Sequence, residues 1–168
     1  MIGPDPFAPT FVLTEVDAQT EAWQRANVIK EAYGWLDTPY RQLGYKKGAG
    51  GAVDCSMLLV GVFVGARVWE PLDPRPYPPT WFLHRDEERY LAWMDKAGAE
   101  TSTPKPGDVV MYKVGRCFAH AGILVDENHV IHAYAKMGRC MKTERAWPEL
   151  ANRPQKFYDP WAYTRKGV

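Results

Sequence analysis

The most uniform stretch of the chain is Cys55-Ser56-Met57-Leu58-Leu59-Val60-Gly61-Val62-Phe63-Val64, apolar on nearly every side. A helix of that kind has no polar face to turn to water and belongs inside a fold. The run predicts a buried helix from near Cys55 to about Val68. Upstream, Val28, Ala32 and Trp35 recur at helical spacing, as do Ile29, Tyr33 and Leu36. They predict a helix capped by Asp17 or Thr20, running to about Leu36 and stopped at Thr38-Pro39. Residues 41–53 carry Gly and Lys without periodicity and read as a loop. Pro71, Pro74, Pro76, Pro78 and Pro79 make 70–84 an irregular excursion, and Arg85 to Ala97 reads as a polar, amphipathic helix. The period then changes to two. Asp108–Val114, Ala119–Asp126, His129–Ala135, Arg139–Arg145 and roughly Lys156–Arg165 predict short strands separated by turn signals. Helices first and strands after is the order of an α+β domain, with a helix layer on one face of an antiparallel sheet.

Composition changes that picture little. A chain of 168 residues suits one domain, and 46% hydrophobic with 24% charged residues is ordinary for a globular protein. Lys and Arg number 21 against 20 acidic residues. That balance gives no basic footprint for nucleic acid. No run approaches the roughly 20 apolar residues of a membrane span, and the N-terminus does not read as a secretory signal. The expected place of synthesis is therefore the cytoplasm. Three cysteines, Cys55, Cys117 and Cys140, argue against a disulfide framework and leave buried or reactive thiols.

Cys55 is the candidate nucleophile. It follows Gly48-Ala49-Gly50-Gly51-Ala52-Val53-Asp54 and opens the buried helix, beside unpaired N–H groups and at the positive end of the helix dipole. Both effects favour the thiolate, and the same N–H groups suit a developing oxyanion. The plain alternative is a cysteine buried among apolar neighbours. A thiol nucleophile needs a base, and His84, His120, His129 and His132 are the candidates. If Asp126-Glu127-Asn128 is the hairpin loop, Val125 faces His129. His120 and His132 then share one sheet face on a diagonal, with Cβ atoms roughly 7–8 Å apart. A two-residue loop would put them on opposite faces. One imidazole is then placed to take the thiol proton and the other to hold it in position. Cys117, His120, His129, His132 and Cys140 also suggest zinc. Parity argues against it, because Cys117 and His120, like His129 and His132, point to opposite faces.

Three blocks together resemble the NlpC-type cell-wall cysteine peptidases, a bacterial and phage branch of the papain-like fold. They are Trp35-Leu36-Asp37-Thr38-Pro39-Tyr40-Arg41, then Asp54-Cys55-Ser56 with its apolar helix. The third is Pro106-Gly107-Asp108-Val109-Val110 with His120-Ala121-Gly122-Ile123 and Ile131-His132-Ala133. The resemblance implies a papain-like α+β fold, N-terminal helices on a five- to six-stranded antiparallel sheet. It implies one peptidase domain over 17–168 after an N-terminal arm at 1–16, with a Pro- and aromatic-rich insert near 69–84. It implies Cys55 as nucleophile, His120 as general base and His132 as its orienting partner. Tyr40, Asp54 and Ser56 would lie against the substrate. No metal or organic cofactor is implied. The implied substrates are peptidoglycan stem peptides, commonly cut between D-glutamate and a diamino acid. Met57 departs from the Gly that many relatives carry there, and the insert is longer than usual. Stand-alone relatives are often phage or prophage tail proteins, which implies delivery to the wall by a virion and tail proteins as partners. Two other functions stay open: a structural tail-tip protein with a silent site, and another acyl transfer on the same fold.

Overall fold

A computed structural model describes residues 9–77 and 88–167. His84 and the part of the insert from 78 to 84 lie outside the described residues, as do residues 1–8 of the arm.

Local chemistry sets the helices. α1 (Ala18–Gly34) starts where the Asp17 carboxylate accepts the Thr20 N–H at 2.7 Å. α2 (Cys55–Gly65) starts on Asp54 and ends three residues short of the expected Val68, because Arg67 turns into the left-handed region with φ of 60°. α3 covers Arg89–Ala97, while 85–87 lie outside the described residues.

Among the described residues, eight strands follow the period-two runs and add three short pieces. β1 (Tyr45–Lys46) and β2 (Ala52–Val53) form a small antiparallel pair inside the stretch expected to be a loop. The other six are β3 (Ala99–Thr101), β4 (Val109–Val114), β5 (Cys117–Leu124), β6 (His129–Tyr134), β7 (Arg139–Glu144) and β8 (Gln155–Asp159). They make one antiparallel sheet in the order β3-β8-β4-β5-β6-β7. The last strand is shorter than the expected Lys156–Arg165, since 160–164 turn back and Val16 pairs with Arg165. Val16 and the stacking of Phe11 edge-on to Trp69, at 4.9 Å, hold the described part of the arm against the body.

The fold is α+β. On one face of the sheet Val109, Met111, Ala121, Ile123, Ile131 and Ala133 pack against α1 and α2, where Val28, Ala32, Met57, Leu58, Val62 and Phe63 are buried. On the other face Val110, Tyr112, Leu124 and Val130 pack under Leu150, Trp147 and Phe157. β4 and β5 shift register between Tyr112 and Lys113, opposite Ala119. Such a bulge redirects the strand locally.

One partly buried charge cluster ties the layers together. The Arg25 guanidinium binds Glu21 at 2.8 Å, Asp108 at 2.8 Å and Asp159 at 3.3 Å, and lies 4.1 Å over the Trp161 ring. Arg165 closes it through Glu21 and Asp159, both at 2.7 Å. The Pro106-Gly107-Asp108 block is the sheet's side of this junction. Gly107 adopts φ of 94°, and its N–H donates to the Leu124 carbonyl. The Asp108 carboxylate accepts the Lys105 N–H and meets Arg25. The bend needs glycine because an L side chain is strained at that φ.

Candidate active site

The nucleophile's position is built from its neighbour. The Asp54 carboxylate accepts the Met57 N–H at 2.9 Å, which caps α2, and the Leu43 N–H at 2.8 Å. The Tyr77 hydroxyl lies 2.7 and 2.8 Å from the same two oxygens. Asp54 is 2% exposed and its oxygens are spent inside the protein. It is placed to position Cys55, where the expectation from the sequence set it against the substrate. Leu58 makes the first intrahelical bond, to the Asp54 carbonyl. The N–H groups of Cys55 and Ser56 bond no other residue among the described residues, and the Cys55 N–H faces its own thiol. Tyr40 is half-buried beside Cys55, with its strand-like backbone paired to Val53 and its hydroxyl 3.3 Å from Gln42. Burial, then the proximity of Cys55 and Asp54, raises its phenol above the ordinary value, so it is a donor at neutral pH. Ser56 lines a small apolar cavity with Trp69, Leu72, Tyr90, Trp93 and Met94, on the side of the insert.

The base comes from the sheet. The three-residue loop is present: Val125 donates to the His129 carbonyl, and Ile123 pairs with Ile131. That register puts His120 and His132 on one face. Their rings meet through Nε2 of His120 and Nδ1 of His132 at 2.8 Å. Gly122 makes the approach possible. A Cβ there would fall 2.9 Å from the Ile131 carbonyl oxygen and 3.0 Å from the His132 Cβ. The second nitrogen of His132, Nε2, lies 3.0 Å from the Thr143 hydroxyl on β7. His129 is elsewhere, bonded to Asp126 at 2.9 Å at the hairpin tip.

Thiol and imidazole meet along β5. The β5–β6 ladder pairs only Ile123↔Ile131 and Leu124↔Val130. Past it, toward Cys117, the Cys55 thiol takes up strand-edge groups of β5. It donates to the Ala119 carbonyl at 3.8 Å and is approached by the Ala121 N–H. These are the residues on either side of His120. Cys55 makes no direct hydrogen bond to His120 in this structure. Ala119 is the bulged residue, so the irregularity of β5 falls at the sulfur.

Charge at the site is set by burial. It pushes the Cys55 thiol up to about 12, with the Asp54 carboxylate acting in the same sense, against the lowering by the Ala121 and Cys55 N–H groups and the Ser56 side chain. Burial brings His132 down to about 4. His120 falls well below the ordinary 6.5 through burial, then the neighbouring His132 and Arg153. The resting set is thus a neutral thiol and two neutral imidazoles.

A stability consequence follows from the depressed His132. Between about 6.5 and 4 the unfolded chain binds a proton that the folded chain refuses, so stability falls as pH falls through that window. His132 alone is expected to lose about 2 kcal/mol of stability from pH 7 to pH 5. Glu21 acts separately. Hydrogen bonding by Arg165 holds it at about 2, so its contribution is lost only below about 4.5. Urea denaturation at pH 7 and pH 5 measures the first effect, and His132→Gln should reduce the difference. An equal drop in both proteins would refute it.

Tyr77, Tyr90 and Thr143 were not singled out in the sequence. The Tyr90 hydroxyl of α3 lies 3.4 Å from the Cys55 carbonyl, and the Tyr77 hydroxyl of the insert binds the Asp54 carboxylate beside it. The aromatic richness of the insert was the available signal. Thr143 had none beyond its period-two position.

The NlpC/P60 family model matches residues 37–149, most of the chain, and the chain belongs to that family. No curated protein sequence matches it. The fold is shared with the P60 domain of an antigen from Mycobacterium avium subspecies paratuberculosis, at 17% identity and a TM-score of 0.59. The match covers 85% of this chain and 98% of that one. The peptidoglycan hydrolase RipB from Mycobacterium tuberculosis matches at 18% identity and 0.58, covering 86% and 68%. RipD from the same organism, described as a non-catalytic NlpC/p60 protein adapted to peptidoglycan binding, matches at 13% and 0.54, covering 81% and 96%.

Proposed function

We propose that this NlpC/P60 domain is a cysteine endopeptidase that cuts amide bonds in peptidoglycan stem peptides, above all the bond between D-glutamate and a diamino acid. The observation that carries the reading is the thiol at the start of α2. It lies beside two N–H groups that bond no other residue among the described residues, and against the strand segment that bears a braced imidazole. The choice of bond rests on the family resemblance.

In this reading the thiol proton leaves the Ala119 carbonyl for His120 Nδ1, and the sulfur attacks the amide carbon. The oxyanion is held by the Cys55 and Ser56 N–H groups and the Tyr40 phenol. Collapse expels the amine, which takes the proton from His120 and leaves a thioester. Water then gives a proton to His120, attacks the thioester and releases the acid, and the proton returns to the sulfur. No step calls on a metal or organic cofactor.

A second reading is a domain that binds stem peptides without cutting. The raised thiol and the missing Cys55–His120 hydrogen bond favour it. Incubation with soluble peptidoglycan fragments, read by mass spectrometry, separates the two. Cleavage by the parent and not by Cys55→Ala supports the peptidase and identifies the bond. Retention of fragments by both proteins with no cleavage supports the second reading. The route to the wall that we propose, on resemblance alone, is a phage or prophage tail. Presence of the chain in purified virions tests it.

A further inference from the structure

We propose that Thr143 is a positioning residue that permits the His120 tautomer able to accept the thiol proton, by accepting the buried His132 Nε2–H. The proposal rests on the peptidase reading, in which His120 Nδ1 is the basic atom.

The argument is one of counting protons along a buried line. His120 Nε2 and His132 Nδ1 are 2.8 Å apart, and His132 Nε2 and the Thr143 hydroxyl are 3.0 Å apart. His132 is wholly buried, His120 is 7% exposed and Thr143 8%. A neutral imidazole carries one N–H, so one ring nitrogen donates and the other accepts. For His120 to take a proton on Nδ1, its own proton must sit on Nε2 and be donated to His132 Nδ1. His132 must then carry its proton on Nε2. That N–H points into protein, and a buried N–H without an acceptor is rare and costly. The Thr143 oxygen is the acceptor that removes the cost.

The reverse arrangement puts the proton of His132 on Nδ1 and that of His120 on Nδ1, and the Thr143 hydroxyl then donates to His132 Nε2. It fills the lone pair that the chemistry needs. Loss of the hydroxyl costs the first arrangement more, because it strands a buried N–H, whereas the second is left only with an unpaired ring nitrogen. Thr143 also matters after transfer, when His120 is an imidazolium. Its charge polarises His132, and the hydroxyl oxygen accepts at the far end of the line. Neither imidazole has another hydrogen-bond acceptor among the described residues; Tyr112, Tyr134 and Trp147 meet the rings as aromatic contacts, and Arg153 acts on His120 through its charge.

The geometry of the sheet explains why Thr143 serves. Val130 pairs with Thr143 and His132 with Met141, so Thr143 lies diagonal to His132 on the neighbouring strand. Diagonal neighbours on one face are within reach of a long or aromatic side chain such as an imidazole.

The test has one readout that needs no substrate and one that does. In the resting parent protein at pH 7, nitrogen-15 NMR of the imidazoles is expected to show the His132 proton on Nε2 and the His120 proton on Nε2. A proton on Nδ1 of His120 overturns the proposal whatever the variants do. Thr143→Val is expected to shift His120 toward the Nδ1–H form. It should lower kcat on a soluble stem-peptide fragment about tenfold to a hundredfold with KM nearly unchanged. Thr143→Ser keeps the oxygen and should keep both the tautomer and the rate. Unchanged kcat in Thr143→Val, or a loss in Thr143→Ser as large as in Thr143→Val, rejects the role. If the fragment is not cut by the parent at all, the peptidase reading fails while the tautomer readout still decides the placement of the proton.

Discussion

Cys55→Ala is expected to lower hydrolysis of stem-peptide fragments by at least about ten-thousandfold while leaving the fold intact. The Cys55 sulfur is the nucleophile of this reading, and alanine removes it while keeping the N–H groups and the Asp54 cap. His120→Ala should cost a similar factor, because a neutral thiol raised to about 12 attacks poorly without a base beside it. The two losses should not add. Once either partner is gone, the other has nothing to act with, so the double variant should resemble the single ones. Rates on a purified fragment, with thermal melts as the control for folding, decide the matter. Turnover retained in a folded Cys55→Ala protein would place the chemistry elsewhere.

The largest loss of stability is expected from Arg25→Met. Arg25 is the central cation among Glu21, Asp108 and Asp159, and the Asp108 side chain is almost inaccessible. Removing the guanidinium leaves three carboxylates facing one another with only Arg165 to answer them. Burial already raises the Asp108 carboxyl, and Arg25 is among the groups that oppose it. Breaking a buried pair in this way costs about 3–5 kcal/mol. The lost stacking on Trp161 adds to it. In a domain of this size the melting temperature should fall by about 10 °C. Arg25→Lys should recover only part, because a single ammonium cannot reach three carboxylates and the Pro106 carbonyl at once. Denaturant titration at pH 7 gives the number. A change below about 1 kcal/mol would mean that the cluster is balanced by solvent and does not tie α1 to the sheet.

Much of the site was legible in the sequence because it depends on short spacings. The apolar run after Cys55 allows only a buried helix. Asp17 and Asp54 cap the helices they precede through an N–H three residues on, a contact local to the chain. The Asp126-Glu127-Asn128 loop sets the register of β5 on β6. Period-two alternation then requires His120 and His132 to share a face, and they meet at 2.8 Å. The β1–β2 pair and β3 were not legible, since strands of two or three residues carry no period.

What tertiary structure alone decided are the partners drawn from far along the chain. Tyr77 reaches Asp54 across 23 residues, and Arg25 reaches Asp108 across 83. Nothing in the spacing of those residues predicts the meeting, because it exists only when the layers close. The same holds for the charge state of Cys55. A helix start favours the thiolate, and that much is local. How deeply the sulfur is desolvated depends on the sheet packed against it, and here desolvation wins. Asp54 shows the division within one residue. Its cap to Met57 is written in a three-residue spacing. Its burial comes from Leu43 and Tyr77 folding over it.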